Sequence, residues 1–258
     1  MEHSYKKIRS VILAGGRGKR MGNDDLPKTL SLLCGKPIIH HLLSGVIESK
    51  LIEKPLLVIG FKGELIKEYL GDKVDYVIQE KQLGTGHAVS CACAVLDEDC
   101  SHILVLNGDH PFVFPETVNK IIDTHLANNS AVTITTTEID FSNSLHEHLH
   151  SYGRVFRNKK NITKIIEVKD ATLDEQKIKE VNVGFYCLDV SWVKRNINKL
   201  SNKNAQGEYY ITDLVGLAVS QGEEVSSVEV DVISSLGINT KEQLLRAEKI
   251  INSFLPVL

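Results

Sequence analysis

Val11-Ile12-Leu13-Ala14-Gly15-Gly16-Arg17-Gly18-Lys19-Arg20-Met21, followed by Lys28 after Leu26-Pro27, is the stretch that decides the fold. Its apolar start, with the lead-in from Arg9, reads as a buried strand over 9–13. The strand runs directly into a glycine-rich turn, whose bare backbone can bring N–H groups close to a ligand. Arg20 and Lys28 add positive charge that the turn lacks. Strand, turn and cations together predict a polyphosphate pocket near the start of an α/β domain.

The pattern around this stretch agrees. Apolar runs at 56–59, 74–78, 103–106 and 131–137 read as strands, and helical spacing appears at 38–47, 64–70, 86–96 and 115–127. Pro115 and Glu116 suit the first turn of the last of these helices. Such alternation predicts a mainly parallel sheet covered by helices on both faces. The second half is mixed: strands over 154–157, 164–168, 183–188 and 225–230, and helices over 191–200, 211–219 and 241–254. The segment 138–150 reads as a long surface loop, and Lys159-Lys160 as a solvated turn. No linker, repeat or low-complexity tract divides the chain. It is expected to form one domain over 1–258, with a nucleotide-binding part at about 1–137 and a sugar-binding part at about 138–258.

Composition narrows the class. The chain has 258 residues, 42% apolar and 24% charged, with a net charge of −3. This is an ordinary globular balance without a general attraction for nucleic acid or anionic membranes. Five cysteines, an odd number without framework spacing, predict reduced thiols in a cytoplasmic protein. Cys91 and Cys93, two apart on a helix, do not face one another and read as core thiols. The polar opening over 1–9 lacks the apolar stretch of a signal peptide.

Familiar phosphate loops do not fit. A dinucleotide-binding turn needs a third glycine where Met21 stands, and an acid at the end of the second strand, where Ile59-Gly60-Phe61-Lys62 has none. Other groups point to a different site. In Gln79-Glu80-Lys81-Gln82-Leu83-Gly84-Thr85-Gly86-His87-Ala88, Gln79 can read a nucleobase edge and the glycines permit close approach. Thr85 also reads as a helix N-cap, and His87 as a structural histidine. Asp109, in Asn107-Gly108-Asp109-His110-Pro111, stands where open α/β sheets bind ligands and suits Mg²⁺ when phosphates complete the shell. Its bland alternative is a turn aspartate before proline. Glu167 and Asn182 end apolar strands, where a hydroxyl-rich ligand can be gripped. Asn239 reads as a helix cap or a neutral metal ligand. His146, His148 and His150 invite a zinc reading but lack a clear fourth partner.

These residues resemble the sugar-nucleotide pyrophosphorylases. Within that family they resemble the uridylyltransferase domain of the bifunctional bacterial N-acetylglucosamine-1-phosphate uridylyltransferases. The first stretch parallels LAAGxGTRM…LPK, Gln79–Ala88 parallels QxxxLGTGHA, and Gly108–Pro111 parallels GDxP. Tyr152-Gly153-Arg154, the run from Ile165 to Ala171, the run from Glu180 to Tyr186, and Asn204–Asp213 complete a similarity from Ile8 to about Ala247. It departs at Gly15, Lys19, Asn107, His110 and Val183, which keeps other nucleotide and sugar pairs open. The resemblance implies a Rossmann-like nucleotidyltransferase fold with a smaller sugar-binding β lobe. It also implies Mg²⁺-dependent transfer from UTP to N-acetylglucosamine 1-phosphate in the cytoplasm, serving the cell envelope. By it, Leu13, Ala14, Gly15, Gly16, Gln79, Gly84 and Thr85 bind the nucleotide. Gly153, Glu167 and Asn182 bind the sugar, Asp109 and Asn239 hold Mg²⁺, and Arg20, Lys28 and Asp109 are catalytic. The hexapeptide repeats of the bifunctional relative are absent by Leu258, so neither acetyl transfer nor that relative's trimer contacts are expected. The partners expected are small molecules, not nucleic acid or membrane. A nucleotide-sugar sensor without turnover is the rival from another class.

Overall fold

The computed structural model describes residues 8–22, 25–51 and 53–254; most of the polar opening lies outside them. The strands are β1 (Ile8–Ala14), the short β2 (Leu32–Leu33) and β3 (Lys36–Pro37), β4 (Leu56–Ile59), β5 (Asp75–Ile78), β6 (His102–Asn107), β7 (Val132–Glu138), β8 (Arg154–Asn158), β9 (Asn161–Ile166), β10 (Glu180–Asp189) and β11 (Val225–Glu229). The α-helices are α1 (Ile38–Ile47), α2 (Gly63–Leu70), α3 (Thr85–Cys93), α4 (Pro115–Asn128), α5 (Val190–Asn196), α6 (Asp213–Ser220) and α7 (Lys241–Phe254).

One sheet runs in the order β11-β7-β10-β6-β1-β4-β5, and β2 and β3 pair apart from it. β6, β1, β4 and β5 are parallel, so Val11 faces both Leu56 and Val105. β10 enters antiparallel between β6 and β7. The β8–β9 hairpin joins β10 at Val181–Arg154. The expected mixed, mostly parallel sheet is therefore present.

Central strands here are apolar on both faces because helices cover both. On one face Val11, Val58 and Val105 pack with Val89, Trp192 and Leu214. On the other, Ile12, Leu57 and Leu104 pack with Leu42, Ile66 and Ile121. Each such fully buried side chain contributes about 1.5–3 kcal/mol relative to an exposed one. The parallel strands all point the same way, so the turns after Ala14, Ile59, Ile78 and Asn107 gather at one sheet edge, where ligands bind in open α/β folds.

Some local expectations change. The segment 138–150 is not a free loop: Ser144–Ser151 forms a 3₁₀ helix that buries Leu149 against Ile139 and Val181, and His148 against Ser235 and Tyr152. Its polar spacing hid two inward side chains. The helix expected over 191–200 stops at Asn196 and tightens to a 3₁₀ turn. α3 ends at Cys93 and α6 begins at Asp213, the usual uncertainty of helix ends. Pro115 and Glu116 do open α4. Lys159 and Lys160 form the exposed β8–β9 turn.

Candidate active site

The first glycine turn is pinned from both sides. Phe61 N–H donates to Gly15 O at 3.2 Å, and Gly108 N–H donates to Leu13 O at 2.9 Å. Three strand ends thus share one scaffold. Gly18 has φ +64°, and a Cβ there would sit 2.6 Å from Lys28 Cβ. A side chain at 18 would displace the stem of Lys28, so this glycine is what lets the lysine lie against the loop.

Lys28 reaches the centre of the cleft. Its Nζ lies 2.5 Å from Asp109 Oδ2 and 2.8 Å from Asn239 Oδ1. Arg20 donates to the same Asn239 oxygen at 3.1 Å. The side chains of Lys28 and Asp109 are only 14% and 13% exposed. Burial pushes the Asp109 carboxyl up, but Lys28 and His110 more than reverse this and hold it far below the usual carboxylate range. Asp109 is therefore a fixed anion.

Asn239 is free for this role because it does not cap α7. Thr240 does: Gln243 N–H donates to Thr240 Oγ1, and Gln243 Oε1 accepts from the backbone N–H groups of Asn239 and Thr240. This is a capping box. The cap reading shifts by one residue for that reason.

At the end of β5, Gln79 is buried, and its Nε2 contacts Gly84 O and His87 Nδ1, both at 3.0 Å. Its donor group is committed, which leaves Oε1 as an acceptor. His87 thus acts as a structural partner. Thr85 is not an N-cap; its Oγ1 accepts from Ile211 N–H at 3.0 Å, clipping α3 to the 204–213 segment.

At the far end, buried Arg154 donates to the carbonyls of His150, Tyr152 and Gln176, and so fixes the backbone around Gly153. Asn182 N–H donates to Gly153 O at 2.9 Å. Asn182 Nδ2 donates to Tyr186 Oη at 2.6 Å, while its buried Oδ1 has no partner among the described residues. Glu167 accepts from Thr212 Oγ1 at 3.1 Å. Burial raises its pKa, the Thr212 bond opposes this, and Asp213 and Asp170 add to the rise. Lys169 opposes the rise, but Glu167 has no ion-pair partner among the described residues.

All of these ends open into one cleft of about 450 Å³. Every one of the fourteen residues singled out from the sequence lines it: Leu13, Ala14, Gly15, Gly16, Arg20, Lys28, Gln79, Gly84, Thr85, Asp109, Gly153, Glu167, Asn182 and Asn239. The wall also contains residues to which the sequence reading gave no role, among them Asn107, Tyr152, Tyr186 and Thr29. Asn107 stands two residues before Asp109 and Tyr152 next to Gly153, each within a stretch that carries the resemblance. The zinc reading fails, and Cys93 is the core thiol expected. No group of three or more His, Cys, Asp or Glu among the described residues can hold a metal. His148 is buried on Ser235, and Cys93 is buried with its thiol pushed up to about 11.

The chain matches the family described as MobA-like NTP transferase domain over residues 10–166. It belongs to that family. This nucleotidyltransferase is 36% identical over 245 residues to the bifunctional protein GlmU of Clostridium perfringens ATCC 13124, covering 95% of the chain and 52% of the relative. It is 39% identical over 247 residues to the bifunctional protein GlmU of Geobacillus sp. WCH70, again covering 95% and 52%. The chain thus spans about half the length of these curated relatives. Among solved structures, a putative glucose-1-phosphate thymidylyltransferase from Bacillus anthracis, in complex with sucrose, superposes with a TM-score of 0.74 at 19% identity. It covers 96% of each chain and bears out the fold. Among the described residues no helix is long and apolar enough to cross a membrane.

Proposed function

We propose that this nucleotidyltransferase moves a uridylyl group from UTP to N-acetylglucosamine 1-phosphate and releases pyrophosphate. The observation that carries the reading is the layout of the cleft in the strand order: Asn182 lies in β10, Gln79 follows β5 at the sheet edge, and β6 and β1, which lead to Asp109 and to the glycine turn with Arg20 and Lys28, stand between them. The bifunctional GlmU relatives and the motif match support this substrate pair.

Gln79 supports the choice of base: its open acceptor and committed amide donor suit an imide N–H, as on uracil. The unpartnered Asn182 Oδ1 and the Glu167 carboxylate favour a ligand rich in O–H and N–H donors, such as an acylated amino sugar.

The phosphate oxygen of a sugar 1-phosphate is already ionised near neutral pH, so attack needs no general base. The difficulty is bringing two anions together. Lys28 and Arg20 lower that repulsion and follow the charge that moves onto pyrophosphate; positioning and electrostatics do the catalysis. Asp109 and Asn239 would hold Mg²⁺. They fit because their hard oxygens converge on a single cationic atom, Lys28 Nζ, and Asp109 stays ionised. When bound, the ion would supply further charge neutralisation to the phosphates.

The test is pyrophosphate release from UTP, dTTP, CTP, GTP and ATP, each paired with a set of sugar 1-phosphates. UTP with N-acetylglucosamine 1-phosphate is expected to turn over fastest. A faster pair would replace the substrate assignment, and binding without release in Mg²⁺ would favour the sensor.

A further inference from the structure

His110 is the residue beside Asp109 on which three parts of the cleft converge. It is 4% exposed. Its Nδ1 lies 2.9 Å from Asp109 Oδ1. An ionised carboxylate only accepts, so Nδ1 carries the proton and donates. Asp109 Oδ1 is thereby occupied, and Oδ2 is the oxygen that meets Lys28 in the cleft.

The ring itself is held tightly. Phe185 packs edge-on against it at 5.0 Å between centroids. Gly237 lies against it so closely that an added Cβ would stand 2.8 Å from His110 Cε1. On the far side, His110 Nε2 is 3.4 Å from Tyr152 Oη. That hydroxyl donates to Ser235 O at 2.6 Å and accepts from Gly237 N–H at 3.2 Å. Asp109 O in turn accepts from Ile238 N–H at 2.8 Å, one residue before Asn239. One buried ring therefore contacts the Asp109 turn, the strap that carries Asn239, and the tyrosine that precedes Gly153.

We infer that His110 is a positioning residue: its Nδ1–H fixes Asp109 with a single oxygen toward the cleft and, with Tyr152, sets the spacing between Asp109 and Asn239 for a divalent cation. This rests on the reading of Asp109 and Asn239 given under Proposed function. A group that orients a metal-binding carboxylate typically changes metal affinity by about 10- to 100-fold when it is lost.

Two substitutions separate the orienting hydrogen bond from simple packing. His110→Asn puts an amide donor close to the place of Nδ1, and His110→Gln puts it close to the place of Nε2. Mn²⁺ affinity of the UTP-loaded protein, measured by water-proton relaxation enhancement, is the primary readout. Sugar-phosphate KM and thermal unfolding are measured alongside. His110→Asn is expected to stay within about threefold of the wild type, and His110→Gln to weaken Mn²⁺ binding by about 10- to 100-fold with sugar-phosphate KM unchanged. Equal affinity in wild type and His110→Gln overturns the role of His110 and leaves the metal reading intact. Equal loss in both variants overturns the orienting bond in favour of packing alone. If His110→Gln does not fold, Tyr152→Phe is expected to weaken Mn²⁺ binding in its place, and an unchanged affinity there overturns the bridge. A wild type that binds no Mn²⁺ with UTP or the other triphosphates takes both readings down together.

Discussion

Asp109 and Glu167 are two carboxylates in one cleft with opposite surroundings. Asp109 lies between Lys28 and His110, and its proton affinity is driven down despite burial. Glu167 has burial and two further aspartates around it, relieved only in part by one threonine hydroxyl and by Lys169, and its proton affinity rises. The contrast separates their work. A carboxylate clamped by cations is a permanent charge suited to phosphate and metal chemistry. A buried carboxylate without an ion-pair partner is destabilising when charged, and it suits the donor-rich ligand proposed for it.

Breaking the cationic centre should have the largest effect. Lys28→Ala or Asp109→Ala is expected to lower kcat by roughly 10²–10³ while circular dichroism shows the fold retained. Near-normal turnover in either would remove the centre from the mechanism.

The join between the two regions comes next. Gly184 has φ +95°, and a Cβ there would stand 2.6 Å from Asn107 Nδ2, which donates to Gly184 O. It lies where the register of β10 shifts beside β7, and it ties β10 to the end of β6, two residues before Asp109. Gly184→Ala should cost about 2 kcal/mol in a denaturant titration, from backbone strain plus the displaced amide. An unchanged midpoint would mean that the two ends are not coupled through this contact.

The smallest effect sharpens the carboxylate contrast itself. Because the folded-state pKa of Glu167 is raised, the fold is most stable where this group is protonated and loses stability as pH rises through that pKa. Glu167→Gln should therefore raise the melting temperature at neutral pH while raising the sugar-phosphate KM by about tenfold. In the wild type, lowering the pH should raise that KM before saturated kcat falls, since Asp109 stays ionised throughout. A lower melting temperature in Glu167→Gln would contradict the environment assigned to it.

Legibility in the sequence followed the same division. The nucleotide end is built from short contiguous runs at the ends of parallel strands, so Gly15, Gln79, Gly84 and Asp109 could be read from spacing and chemistry. The sugar end joins a residue just beyond β9 to one in β10 and to Thr212, more than forty residues from Glu167. Glu167 and Asn182 were visible only as polar residues near strand ends, and resemblance supplied their role. Thr212, Tyr186 and His110 carry no role by spacing: Thr212 meets Glu167 and His110 meets Tyr152 across more than forty residues, and the nearby pairs Asp109–His110 and Asn182–Tyr186 depend on the local backbone turning their side chains together. Thr240 took the cap from Asn239 because Gln243 sits three residues on, a pairing present in the sequence and overlooked. The 3₁₀ segment at Ser144–Ser151 was hidden by polar residues, since what it buries depends on Ile139 and Val181 across the fold.

The central claim is that one cleft holds two substrates at opposite ends with Lys28 and Asp109 between them. It is tested most directly by measuring both KM values in Gln79→Ala and Glu167→Ala. Gln79→Ala should raise the nucleotide KM by about fivefold or more and leave the sugar-phosphate KM within about twofold, and Glu167→Ala should do the reverse. If both substitutions move the same KM, or neither moves one, the two-ended cleft is wrong.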